Sequence, residues 1–382
     1  MQMGNRLKLL GIVLVAAVTL MSCEWLLPLF ADLAEGEREP YTTYEVYTAG
    51  YFHDGTRNIA CYWKDDERID LEEGVESEAF DIAVSSLGSV YVAGYYNEGG
   101  GDVPCVWYSG ERFPVEDFVG RATSIALGPG GYAVVGTLQV GEGTGAFFAT
   151  DRDWSDTVSP QARGTAVAES DGEFVYLWEQ VADGSDTSVV KFHGGDIPRD
   201  DIVLSSSKEY RDVATDGSNC YVVGAEGEID NDGVMYRRSM LWTIDQTDHV
   251  QSTIIREAAA PEPQIAVYTT AVSVNVTEGE VTVNGYSEDG FRDYKEDSYL
   301  WRDGSRTIVS SLDQRRHVAD HAIGGSRSWL CGGNDPDYGA QRAWYAYREG
   351  FGYTFVDLAP DVESEARAMA LRSVLVSPDE EE

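Results

Sequence analysis

Any chemistry in this 382-residue chain has to come from a few groupings of acids, histidines and cysteines. The segment Glu228-Ile229-Asp230-Asn231-Asp232-Gly233 sets acids at alternate positions before a glycine, as calcium loops do. Such a loop also needs an acid at its twelfth position, and counting from Glu228 that position is Ser239. Glu228, Asp230 and Asp232 are therefore an incomplete calcium set, and a solvated acidic turn is the simpler reading. No other cofactor is suggested. His317 and His321 stand four apart, so on a regular strand they would share a face, with Asp320 pointing away. That pair could hold a metal, but His321 falls in an apolar column, where a hydrogen-bonded core histidine fits better. Asp335-Pro336-Asp337 reads as a turn.

The sequence has no nucleophile elbow, phosphate loop, zinc-protease motif or Asp-box. Two carboxylates facing each other across a channel could act as acid and base. With 66 acidic residues, however, no pair stands out. Cys61 and Cys105 each precede a tryptophan by two residues, and Cys220 and Cys331 lie in other apolar runs. None has a closely spaced Cys or His partner, so all four are expected as small buried apolar residues.

The formal charge is -38, from 28 basic and 66 acidic residues, and only five of the bases are lysines. A field of that sign repels nucleic acid, so DNA or RNA is not an expected partner. Acid-rich, lysine-poor surfaces suit a salt-adapted protein, and a genomic bias towards arginine explains them as well.

The elements that position these residues follow from one repeated pattern. Residues 79–115 read AFDIAVSSLGSVYVAGYYNEGGGDVPCVWYSGERFPV, with short alternating apolar runs between tight turns. Such runs suit half-buried strands, and three or four of them form an antiparallel meander. A large residue followed by a small one recurs in seven places: Ile82-Ala83, Ile125-Ala126, Val167-Ala168, Val213-Ala214, Val272-Ser273, His321-Ala322 and Met369-Ala370. A glycine closes the second run at Gly50, Gly94, Gly136, Gly224, Gly285 and Gly332, with Trp178 in the remaining copy. A third-run aromatic recurs as Trp63, Trp107, Trp242 and Trp301, with Phe148, Phe192 and Trp344 or Tyr345 as looser matches.

The period of roughly 45 residues is that of four-stranded propeller blades. The first copy, from Tyr44, lacks an inner strand, and residues 366–376 form a lone one. The expectation is an all-β, seven-bladed β-propeller of four-stranded antiparallel blades, closed when the C-terminal strand completes the first blade.

Ahead of the repeats, Arg6 and Lys8 precede an apolar run, residues 9–20, too short to span a bilayer comfortably. Leu20-Met21-Ser22-Cys23 follows and resembles the lipobox of bacterial lipoproteins. The resemblance implies that Cys23 becomes the lipid-carrying N-terminus and the membrane anchor. The expected domains are residues 1–22 as signal peptide, 23–43 as lipidated tether, 44–376 as propeller and 377–382 as acidic tail.

The phrases Val90-Tyr91-Val92-Ala93-Gly94-Tyr95, Cys105-Val106-Trp107 and Leu300-Trp301-Arg302-Asp303-Gly304-Ser305 resemble those of bacterial propeller-repeat lipoproteins, such as those of spirochaetes and Bacteroidetes. More loosely, they resemble HAF-type extracellular repeats. The likeness implies a lipid-anchored envelope protein, at the outer membrane or cell surface, and specifies a scaffold rather than an activity. The leading expectation is a monomeric binding or scaffold module. The alternative is an envelope polysaccharide hydrolase or lyase using carboxylates at the channel mouth. Acids in the second-to-third-strand loops, Glu98, Glu228, Asp230, Asp232, Asp289, Asp335 and Asp337, gather on one rim. Acids on every exposed loop would make that rim merely solvated; a gathered negative field would attract a basic protein, an envelope-complex partner or divalent cations.

Overall fold

Period-two runs joined by tight turns leave each four-stranded sheet with two faces to bury, and stacking against the next sheet buries both. The computed structural model describes residues 40–377 apart from 116–117, 142, 152–153, 183–184, 195–200, 205–207, 230–234, 257–266, 278, 290–293, 303–304, 311–315, 326, 335–340 and 350–351. It is a seven-bladed β-propeller.

The second blade holds β4 (Glu76–Val84), β5 (Val90–Asn97), β6 (Val103–Tyr108) and β7 (Glu111–Pro114). The third is β8 (Gly120–Gly128), β9 (Gly131–Val140), β10 (Gly143–Thr150) and β11 (Trp154–Pro160). The fourth is β12 (Ala162–Ser170), β13 (Glu173–Ala182), β14 (Ser185–Gly194) and β15 (Ile202–Val203). The fifth is β16 (Lys208–Thr215), β17 (Cys220–Ile229), β18 (Met235–Ile244) and β19 (Val250–Arg256). The sixth is β20 (Val267–Thr277), β21 (Glu280–Asp289), β22 (Tyr294–Arg302) and β23 (Ser305–Ser310). The seventh is β24 (Arg316–Gly324), β25 (Arg327–Asn334), β26 (Ala343–Glu349) and β27 (Gly352–Asp357).

The first blade is composite. Its strands β1 (Tyr41–His53), β2 (Asn58–Lys64) and β3 (Glu67–Asp70) are completed by β28 (Ser364–Val376), in the order β28-β1-β2-β3. The sequence expectation of closure by the last strand therefore holds. Residues Tyr44–Arg372 form one compact unit.

Burial is distributed around the ring instead of sitting in one core. Each of the seven junctions between blades has its own apolar cluster among the described residues. Trp63 and Cys61 of the first blade pack with Trp329 and Cys331 of the seventh, for example, and Trp107 and Cys105 pack towards Tyr47 and Ala60. All four described cysteines are buried thiols. Burial pushes the Cys61, Cys105 and Cys331 thiols up, which makes them inert packing residues.

The recurring glycine has a steric cause. A Cβ at Gly50, Gly94, Gly136, Gly224 or Gly332 would overlap the main-chain carbonyl of Glu365, Glu78, Arg121, Glu209 or His317, respectively. A bulge follows in the inner strand, at the residue just before Asp81 in β4 and at the matching place in β8, β12, β16, β20 and β24. In the fourth blade the small residue has changed strands: Gly164 of β12 stands opposite Trp178 of β13.

Two details of the repeat alignment are corrected by the bulges and registers. In the sixth blade, Ser273 pairs with Asn284 directly after the bulge, so it takes the place of Asp81 and not that of Ala83. In the seventh, Trp344 pairs with Gly332 and occupies the place of Cys105, while Ala346 stands where Trp107 does.

Candidate functional site

Seven inner strands line one cavity of about 410 Å³ on the axis of the ring. The bulges sort its walls into layers. The bulged residues Phe80, Thr123, Thr165, Arg211, Val272 and Ala319 form one layer with Arg367 of β28. The next residue along each strand forms another: Asp81, Ser124, Ala166, Asp212, Ser273, Asp320 and Ala368.

The second layer solves a problem that the bulges create. The residue after this layer in each inner strand, from Ile82 round to Met369, has an amide turned away from its own ladder, and a buried N–H needs an acceptor. Asp81 accepts from its own neighbour Ile82 at 2.7 Å and from Ile125 of the next blade at 2.8 Å. Asp212 does the same for Val213 at 2.8 Å and Val274 at 2.9 Å. Asp320 serves His321 at 2.7 Å and Met369 at 2.9 Å. The seventh amide, Val167, donates to Ser124 Oγ at 3.2 Å, and Ser124 in turn donates to Asp81 at 2.7 Å. Three aspartates and one serine thus satisfy all seven amides and tie four blade junctions.

Desolvation in the narrow channel is the largest influence on these acids and pushes them up, Asp81 to about 7 and Asp212 to about 8. Asp320 is raised by the same cause. His321 is buried between the sixth and seventh blades. Its Nδ1 lies 2.8 Å from Ser273 Oγ and its Nε2 2.8 Å from Thr282 Oγ1. Burial lowers its pKa to about 4, so the ring is neutral.

These shifts set a pH dependence. Asp81 and Asp212 keep in the folded state protons that the unfolded chain releases near its ordinary value of 3.8. Their contribution is complete below that value and is lost as pH rises through about 7 and about 8. His321 works the other way, losing its contribution as pH falls from 6.5 towards about 4. Above pH 6.5 the acids act alone, so Tm should fall as pH is raised from 6.5 to about 9. A melting series showing Tm flat or rising across that window would overturn this assignment.

At the entrance, Arg367 donates to Glu78 at 2.7 Å and Glu365 at 3.1 Å, with its guanidinium 4.9 Å from the Tyr51 ring centroid and 4.6 Å from that of Phe80. His317 Nε2 lies 3.8 Å from Glu365. Burial alone would raise Glu365, but His317 and Arg367 outweigh it and hold the carboxyl at about 2. On the far side of the ring, Arg211 and Arg237 pair with Glu209.

The bulge also separates the two histidines expected to share a face. It falls between Val318 and Asp320, turning His317 towards Glu365 of the first blade and His321 towards Ser273 and Thr282 of the sixth. No metal pair forms from them. Among the described residues, no group of three His, Cys, Asp or Glu could hold a metal ion.

The sequence-predicted rim residues are placed in part. Glu98 follows β5 and pairs with Arg112 at 2.8 Å. Glu228 and Asp289 stand at the matching ends of β17 and β21, on the same rim. Asp230, Asp232, Asp335, Asp337 and Cys23 lie outside the described residues, so the calcium set does too. The inner-strand aspartates were missed at the sequence level. Their signal was there: Asp81-Ile82-Ala83, Asp212-Val213-Ala214 and Asp320-His321-Ala322 put an acid in the same place of three otherwise apolar strands.

No family model matches the chain, and no curated protein matches it significantly. Among solved structures, the periplasmic gluconolactonase PpgL of Pseudomonas aeruginosa aligns over 88% of this chain and 100% of its own, at 11% identity and a TM-score of 0.50. The β-propeller domain of the Trilobed protease from Pyrococcus furiosus aligns over 84% of this chain and 96% of its own, at 10% identity and a TM-score of 0.48. At 11% identity the likeness to PpgL is one of fold alone.

Proposed function

We propose that this protein is a lipid-anchored propeller of the bacterial cell envelope, at the outer membrane or cell surface, acting as a binding or scaffold module. The observation carrying the binding reading is that the channel carboxylates are already engaged. Asp81, Asp212 and Asp320 each accept two backbone amides, and Glu78 and Glu365 are held by Arg367. Glycoside cleavage by a carboxyl pair needs one member protonated near neutrality. Glu365, held at about 2, cannot be that acid, and Asp81 and Asp212, which do keep a proton near neutrality, have their oxygens taken up by backbone amides one layer below the mouth. This disfavours the hydrolase or lyase alternative at the channel mouth. A rigid ring whose outer loops carry acids is instead suited to recognition, with a basic envelope protein as the complementary partner.

The anchor rests on Leu20-Met21-Ser22-Cys23 behind a short apolar run. Cys23→Ala should move the protein from the membrane fraction to the soluble one, or leave it unprocessed. Mass spectrometry of the wild-type N-terminus should find acylated Cys23. A soluble wild-type protein with unmodified Cys23 would sink the envelope reading. Crosslinking in intact cells, followed by identification of captured chains, tests the partner, which is expected to be basic and to be released by salt.

A further inference from the structure

The bulged layer at the entrance of the axial cavity is the reverse of the rest of the chain in charge. The whole sequence carries 66 acids against 28 bases, yet the only charged residues in this layer are Arg211 and Arg367. They stand on β16 and β28, in the fifth and first blades, so they face each other across a ring of seven. The remaining places hold Phe80, Thr123, Thr165, Val272 and Ala319.

We propose that this layer binds a small di- or tricarboxylate spanning the channel between Arg211 and Arg367. A guanidinium has five donors, and the acids that hold these two take up only part of that number. Arg367 gives Nη1 to Glu78 and Nε to Glu365, and Arg211 gives Nη2 to Glu209. Glu78, Glu365 and Glu209 therefore orient the two forks, and the donors they do not take can meet a carboxylate, the partner that a guanidinium matches best. The cavity of about 410 Å³ is within the size of small-molecule sites. The charge of the two arginines is offset by Glu78, Glu365 and Glu209, so what remains is two guanidinium forks at separated points, which favour a ligand with two separated carboxylates over a single anion. The acids one layer below are tied to backbone amides and are raised by desolvation, which lessens their repulsion of an incoming anion as pH falls.

Isothermal titration of the full-length protein in detergent with citrate, at constant ionic strength, tests this directly. Saturable binding is expected, tighter at pH 6 than at pH 8, with no response to sucrose. Arg211→Gln should weaken citrate binding at least about tenfold, as loss of a charge-assisted bidentate contact does. Arg68→Gln, which breaks a pair with Asp70 on β3, should leave binding unchanged. Arg211 is half exposed, so its replacement is not expected to unfold the ring, and a melting curve checks this. Failure of the wild-type protein to bind citrate or tricarballylate would overturn the proposal. So would equal weakening by the two variants, which would make the total charge responsible. Neither outcome bears on Cys23 or on a protein partner.

Discussion

A chain truncated before Ala366 should fail to close its ring and should aggregate instead of melting cooperatively. The strand removed supplies the inner edge of the first blade. Its Ala366, Ala368 and Met369 are almost fully buried, in the clusters on both sides of that blade. The same cut removes the Asp320–Met369 tie and the Arg367 pairs with Glu78 and Glu365. It also leaves β1 as an unpaired edge, a template for pairing with another chain. Domains have only about 5–15 kcal/mol of net stability to lose. Opening two apolar junctions along with a strand ladder exceeds what such a margin tolerates. Calorimetry and size-exclusion chromatography would check this. A monomer with one cooperative transition at the wild-type Tm would show that the strand is dispensable.

The architecture was legible because its cause is local and repeated. Period-two runs, the second-strand glycine and the half-blades at the two ends of the repeats each report backbone geometry, and backbone geometry repeats with the blade. The inner ring was less legible because a bulge alters the period where the chemistry lies. Regular alternation puts His317 and His321 on one face, whereas the extra residue before Asp320 sends them to different blades. The same shift places Ser273 with the aspartates, although its neighbours in sequence align it with Ala83. Composition hid the rest. Three buried aspartates are hard to notice among 66 acids, and what distinguishes them is the apolar company they keep within a strand. The carbonyl beneath Gly50 comes from Glu365, over three hundred residues away in sequence, and no local pattern reports such a contact.

Replacing the ring aspartates should cost stability in an order set by how many donors each one serves. Asp81 accepts from the Ile82 amide, the Ile125 amide and the Ser124 hydroxyl. Asp81→Ala leaves all three without that acceptor and loosens the junction between the second and third blades, at a cost on the order of 2–4 kcal/mol. Asp212→Ala abandons the Val213 and Val274 amides and should cost slightly less. Ser124→Ala abandons one amide, Val167, and should cost about 1 kcal/mol. Because Ser124 also donates to Asp81, the double variant Asp81→Ala/Ser124→Ala should cost less than the two single changes together. Asparagine is a poor substitute at position 81: its amide nitrogen can only donate, so it faces one of the backbone donors without an acceptor. Denaturant melts of the five proteins at pH 6.5 would rank them. Hydrogen exchange should show the lost protection first at Ile82, Ile125 and Val167, and not at Val213 or Met369. If the three alanine variants were equally stable, or if protection were lost evenly round the ring, the carboxylates would be filling space in the channel and the blades would be held by their apolar junctions alone.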